Sequence, residues 1–242
     1  MSIVFDENRK IWALNTQTTS YGIGVDQQGR LKHLYFGARL NNPAEMGDAN
    51  WWMPGGASFD PSDGPAQFEY PTQTGMYYYE PCLKATFADG VRDTALVYAS
   101  QHQETMDGID TLALVLQDTY YPLKVTLRYA VYEDCDLIKR WAVIENTGDT
   151  PIMLEEALSG VWHLPRGRDY RLTHLAGRHT QELLVYQEQI TPGRKVIESR
   201  RGNTSHQANP WFAVDRSLAT EHQGEVWFGA LAWSGNWKIA VE

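Results

Sequence analysis

Leu123-Lys-Val-Thr-Leu-Arg-Tyr-Ala-Val-Tyr132 is the stretch that decides the fold class. Every second position is hydrophobic: Leu123, Val125, Leu127, Tyr129 and Val131 share one side of an extended chain, with Lys124, Thr126 and Arg128 on the other. On a helix these five residues would scatter around the circumference, so ten residues of alternation specify a half-buried strand.

The same signal recurs outward in both directions. Leu112-Ala-Leu-Val-Leu116 precedes it as a short apolar run, and Ile138-Lys-Arg-Trp-Ala-Val-Ile144 follows, closed by the turn residues of Asn146-Thr-Gly-Asp-Thr-Pro151. Tyr21-Gly-Ile-Gly-Val25, a turn through Asp26-Gln-Gln-Gly29, and Leu31-Lys-His-Leu-Tyr35 read as a hairpin. Glu225–Trp233 and Trp237–Val241 are strand-like again. Ile152–Leu158 fits a strand or a helix equally, and Thr180–Gln189 carries a weak helical stripe; no other window of twelve or more residues carries one. Many short strands punctuated by Gly, Pro, Asn and Asp predict an all-β fold of two large, stacked, mostly antiparallel sheets. There is no internal repeat and no low-complexity segment.

The 242 residues suffice for one large β domain or two ordinary ones. The net charge of -9, without a basic stripe, argues against nucleic acid or an anionic membrane as partner and leaves a neutral ligand such as a sugar in play. Cys82 and Cys135 are too few for a disulfide framework and read as reduced thiols. The first residues lack a basic stretch followed by an apolar one, and no apolar run approaches a membrane span, so the expected compartment is the cytoplasm. No H-x-H, H-E-x-x-H, Cys/His cluster, G-x-S-x-G, Walker or G-x-G-x-x-G pattern occurs, and neither a metal nor a cofactor is expected.

Two regions break the strand pattern. Residues 41–73 form a long turn-rich loop holding Asp48, Trp51 and Trp52, and loops of that length inside a domain are usually functional or mobile. The second is Glu198-Ser-Arg-Arg-Gly-Asn-Thr-Ser-His-Gln-Ala-Asn-Pro210, which concentrates side chains capable of directional hydrogen bonds. Ser205 beside His206 has no orienting acid, and neighbours in an extended chain diverge, so a structural clamp is the better reading. Glu155-Glu156, an adjacent carboxylate pair, reads as a solvated face, because neighbours on a strand point to opposite sides.

Arg201-Gly-Asn-Thr-Ser-His-Gln-Ala-Asn-Pro210 resembles the RGxSSHxxNP segment of the amino-terminal domain of family 36 glycoside hydrolases, with Thr204 where serine is usual. Further resemblances follow in order along the chain: Leu14-Asn-Thr16 with Ser20-Tyr21, Gly29-Arg-Leu-Lys-His-Leu-Tyr-Phe-Gly37, Glu69-Tyr70-Pro71, Leu112–Asp118, and Leu127-Arg-Tyr129. Arg140 with Ile144-Glu-Asn146, Leu175-Ala-Gly177 with Glu182, and Ser234-Gly-Asn236 complete the series. Two departures stand out. Gly75-Met-Tyr-Tyr-Tyr-Glu-Pro81 lacks the Asp and Arg of a Gly-x-x-Asp-x-Arg-x-Pro segment. Met106-Asp-Gly-Ile-Asp-Thr111 replaces a Gly-Lys-Pro…Gly-Leu-Pro loop.

The resemblance implies that residues 1–242 are one β-supersandwich domain, ending before a (β/α)₈ barrel. That barrel would carry both catalytic aspartates of a retaining α-galactosidase, so no catalytic residue is expected in this chain. It also implies a homo-oligomer in which residues 41–73 line the active-site mouth of a neighbouring subunit. Asp48 would then accept hydrogen bonds from galactose hydroxyls in an α-galactoside oligosaccharide while Trp51 or Trp52 stacks on the sugar. Otherwise, the two tryptophans pack on their own domain and Asp48 caps a turn. The competing functions are a free-standing carbohydrate-binding β-sandwich and an α-N-acetylgalactosaminidase of the same architecture.

Overall fold

A computed structural model describes residues 2–50, 66–74, 77, 79–217 and 219–242. The regular secondary structure of the described residues is almost entirely strand, as the alternation predicts, and the chain divides into two compact units, residues 1–165 and 166–242. Trp51 and Trp52 lie outside the described residues.

In the first unit, β1 (Ile3–Asp6), β2 (Ile11–Asn15), β3 (Thr19–Val25) and β4 (Leu31–Ala38) make an antiparallel four-stranded meander. β5 (Leu83–Thr86) is short, and β6 (Leu96–Met106), β7 (Ile109–Asp118), β8 (Leu123–Tyr132) and β9 (Leu137–Asn146) form a second meander. β10 (Met153–Ala157) returns to pair antiparallel with β5, which resolves the ambiguous segment as a strand.

β8 carries the founding pattern, and its five alternating hydrophobics are all buried. They pack with Leu112, Leu114 and Leu116 of β7 against Trp12, Leu14, Tyr21, Ile23 and Val25 from β2 and β3, so the two meanders stack face to face around one core. β2 is buried at all five positions because its other face is covered too: Ile11 and Ala13 lie in a small second cluster with Met46. Between β6 and β7 the turn Asp107-Gly108 puts both residues at positive φ, 53° and 79°, the twist that suits a two-residue hairpin.

In the second unit, β11 (Arg171–Arg178), β12 (Gln181–Gln189), β14 (Trp211–Asp215) and β15 (Val226–Ala230) form an antiparallel sheet in the order β12-β11-β14-β15. β13 (Lys195–Ser199) pairs with β16 (Trp237–Val241). The weak helical stripe at Thr180–Gln189 is therefore corrected. Thr180 sits at φ 68° in a tight turn, and the following residues pair with β11 as an edge strand. Pairing along a whole neighbouring strand outweighs a marginal helical preference.

Candidate functional site

Residues that are far apart in sequence meet in one buried polar network in the first unit. Glu69 is wholly buried, near the C-terminal end of the 41–73 segment. Its Oε1 lies 2.9 Å from Arg140 Nη1 and accepts from the Tyr129 hydroxyl at 2.7 Å, while Oε2 accepts from the Tyr21 hydroxyl at 2.8 Å. Arg140 Nη2 donates to the Glu69 backbone oxygen at 3.1 Å, and Nη1 also donates to the Val161 carbonyl. The guanidinium lies over the rings of Tyr129 and Trp162.

Beside this network the rings of His33 and His163 approach to 5.3 Å between centroids. His163 Nε2 is 2.8 Å from the Phe68 carbonyl, and the His33 backbone amide donates to Gln67 O at 2.8 Å, so both residues hold the strand-like end of the long segment.

The electrostatics follow from burial. Burial raises the Glu69 carboxyl, opposed by the Arg140 charge and the two hydroxyls it accepts. Burial, the largest single influence, would lower Arg140, but Glu69 with Tyr129, Tyr21 and Cys82 together outweigh it and hold the guanidinium above its ordinary value. We take the pair as ionised, since each charge has its partner and further hydrogen bonds. Burial, reinforced by Glu69, pushes the Tyr21 and Tyr129 phenols well up, so both remain donors. Burial, then the neighbouring His163 and Arg140, pull His33 well below its ordinary value, and burial, with a smaller contribution from Arg140, pulls His163 down to about 4.

Asp48 lies at the opposite end of the long segment. Asn42 caps a single 3₁₀ turn at Pro43–Met46 by accepting from the Ala44 amide at 2.9 Å, and Gly47 ends it at φ 85°. Asp48 is exposed, and its Oδ1 accepts from the backbone and side-chain nitrogens of Asn50 at 2.9 and 3.1 Å. Asp48 therefore does cap a turn, and its Oδ2 has no hydrogen-bond partner among the described residues. Whether Trp51 and Trp52 accompany it falls outside those residues.

The polar cassette belongs to the second unit and is knitted into it. Thr204 N donates to Ser234 O at 2.9 Å and its hydroxyl to Trp233 O at 3.1 Å; Gly202 N donates to Asn236 Oδ1 at 2.7 Å; Asn209 N donates to Leu175 O at 3.0 Å. These bonds join three of the motifs quoted above. Glu155 pairs with Arg92, and Glu156 with Lys84 at 2.6 Å, so the adjacent carboxylates serve separate ion pairs.

Residues 29–242 match the family model for the glycosyl hydrolase family 36 N-terminal domain. The chain is a family 36 N-terminal domain. This domain is 30% identical to α-galactosidase Mel36A of Lactobacillus acidophilus over 99% of its own length and 36% of that protein. It superposes on the crystal structure of the α-galactosidase AgaB of Geobacillus stearothermophilus with a TM-score of 0.88, at 29% identity, over 100% of this chain and 36% of that one. A structure of an AgaA variant from the same organism in complex with raffinose matches at a TM-score of 0.85 and 29% identity, over 96% of this chain and 35% of that one. The domain thus spans about a third of the length of its relatives.

Within this family 36 domain the motif residues Tyr21, Glu69, Tyr129 and Arg140 belong to a single network, with His33 packed beside it. Sequence reading did not join them. It also missed Gly160, where an added Cβ would lie 2.4 Å from Arg140 Nε, and His163. The available signal was partial: Arg140 alternates in phase with Ile138, Ala142 and Ile144, and His33 with Leu31 and Tyr35, whereas Glu69 lies outside any strand and offered none.

Proposed function

We propose that this chain is the non-catalytic N-terminal part of an α-galactosidase that removes terminal α-linked galactose from oligosaccharides by a retaining mechanism. Its tasks there are scaffolding, contact between subunits of a homo-oligomer, and closure of the substrate pocket through Asp48, Trp51 and Trp52. The observation that carries this reading is alignment over 99% of the chain with only 36% of an α-galactosidase. Supporting it, the conspicuous polar groups are already committed: Glu69 to Arg140, Glu155 to Arg92, Glu156 to Lys84, and the cassette to its own backbone. None of these is a free carboxylate pair of the kind glycoside hydrolysis requires.

A cytoplasmic location fits the two free thiols, of which Cys135 is exposed. The raffinose complex of AgaA supports an oligosaccharide substrate.

The test is turnover of a chromogenic α-galactoside by residues 1–242 alone and by the intact protein. Activity is expected in the intact protein only. Turnover by the 242-residue segment would contradict the reading, and inactivity of both with retained sugar binding would favour a carbohydrate-binding module.

A further inference from the structure

Tyr21, Ile23 and Val25 of β3 face the core, and Gly22 and Gly24, the residues between them, face the other way. Two glycines at i and i+2 on one face of a strand leave a trough. The trough is filled by the segment that carries Asp48. A Cβ on Gly22 would lie 2.7 Å from Met46 Sδ, and one on Gly24 would lie 3.0 Å from Ala49 Cβ and 2.8 Å from Leu34 Cδ1. Met46 and Ala49 are each only 3% exposed, although Gly47, Asp48 and Asn50 around them are exposed.

A hydrogen-bond tie completes the seat. Asn50 Oδ1 accepts from the Gln27 backbone amide in the β3–β4 turn at 2.7 Å, while Asn50 N and Nδ2 donate to Asp48 Oδ1. The Arg9 side chain holds the Gly47 carbonyl from the β1–β2 turn. Asp48 is thus fixed by two flanking buried anchors and one side-chain bridge, with Oδ1 occupied and Oδ2 turned to none of the described residues.

We propose that Gly22, Gly24 and Asn50 are positioning residues for Asp48: the glycine trough seats residues 46–50 and Asn50 sets the carboxylate so that Oδ2 meets a sugar hydroxyl. This rests on the reading of Asp48 as a galactoside contact, but the seat itself is independent of it. Pre-setting a polar group removes an ordering cost from binding. The consequence is a change in KM, since the ordering cost falls on substrate binding.

The experiment has two arms on the intact protein. Hydrogen exchange over residues 44–50 is compared in wild type, Gly24→Val and Asn50→Ala. Exchange at least tenfold faster in both variants, with β8 amides unchanged, is expected. Unchanged exchange in both overturns the seat.

The second arm measures kcat and KM for raffinose in Asp48→Ala, Asn50→Ala and the double variant. Asn50→Ala is expected to raise KM several-fold with kcat within about twofold, and to add nothing in the Asp48→Ala background. A further rise in the double variant shows that Asn50 does not act through Asp48 and overturns the positioning role. A KM unchanged by Asp48→Ala removes the galactoside reading and, with it, the role of the seat in binding, whichever way the exchange arm turns out.

Discussion

Glu69 keeps its charge without any exposed surface because Arg140 and two tyrosine hydroxyls surround it. Removing one member leaves the rest uncompensated, which is far costlier than never burying the pair. Arg140→Met is expected to destabilise the first unit by about 3–5 kcal/mol, measured by urea denaturation. Gly160→Ala is expected to cost about 1–3 kcal/mol in the same assay, because its methyl would collide with the guanidinium.

The neighbouring histidines set a pH dependence. Their pKa values are lower in the folded chain than in the unfolded one, so the unfolded chain binds more protons in acid. Their contribution to stability is therefore complete above about pH 6.5 and declines as pH falls from there through about 4. His163 alone accounts for a loss on the order of 3 kcal/mol across that window. His163→Gln is expected to flatten the decline between pH 6.5 and 4 in denaturation curves, since glutamine can still donate to Phe68 O but cannot titrate. An unchanged slope would place the acid sensitivity elsewhere.

At the scale of elements, the hairpin of β11 and β12 depends on a close backbone approach. A Cβ on Gly177 would lie 2.3 Å from Gln181 O, at a register shift between Ala176 and Arg178. Gly177→Ala is expected to cost more than about 1 kcal/mol and to speed hydrogen exchange in β12. The same strand is an edge, with Leu183 59% and Val185 64% exposed, and Leu183 stands at φ 57°. That irregularity blunts the edge against unwanted pairing. Val185→Lys is expected to change the stability of the 242-residue chain by no more than about 0.5 kcal/mol while lowering light scattering at high concentration.

Strands at this scale were legible in the sequence wherever one face is buried and the other wet. β8 is the clearest case, because all five of its alternating hydrophobics are buried while Lys124, Arg128 and Tyr132 on the other face are not, although Thr126 and Ala130 there are. β12 was misjudged because neither of its faces is buried, so hydrophobic period carries no information there. The Asp48 turn was legible as a bland possibility, and the structure bears that part out. The trough was not read, although Gly22 and Gly24 stand in plain view, since a glycine pair in a strand acquires meaning only from what lies on it.

For the whole molecule, the first unit holds its own core between two meanders and its own polar network, all within residues 1–165. A domain with a self-contained core is able to fold alone. A fragment of residues 1–165 is expected to unfold cooperatively, with tryptophan fluorescence and circular dichroism coincident; non-coincident transitions would show that it needs residues 166–242.

By itself the sequence determined the all-β class, the hairpin and turn positions, and membership of family 36 through ordered motifs, because each of these is local or a matter of succession along the chain. Only the tertiary structure decided that Tyr21, Glu69, Tyr129 and Arg140 are one buried network with His33 beside it, that the cassette at 198–210 bonds to its own unit, and that Asp48 rides on a glycine trough. Those are properties of distance between strands remote in sequence. A polar residue reads alike whether it faces water or a buried partner, until the fold supplies the partner.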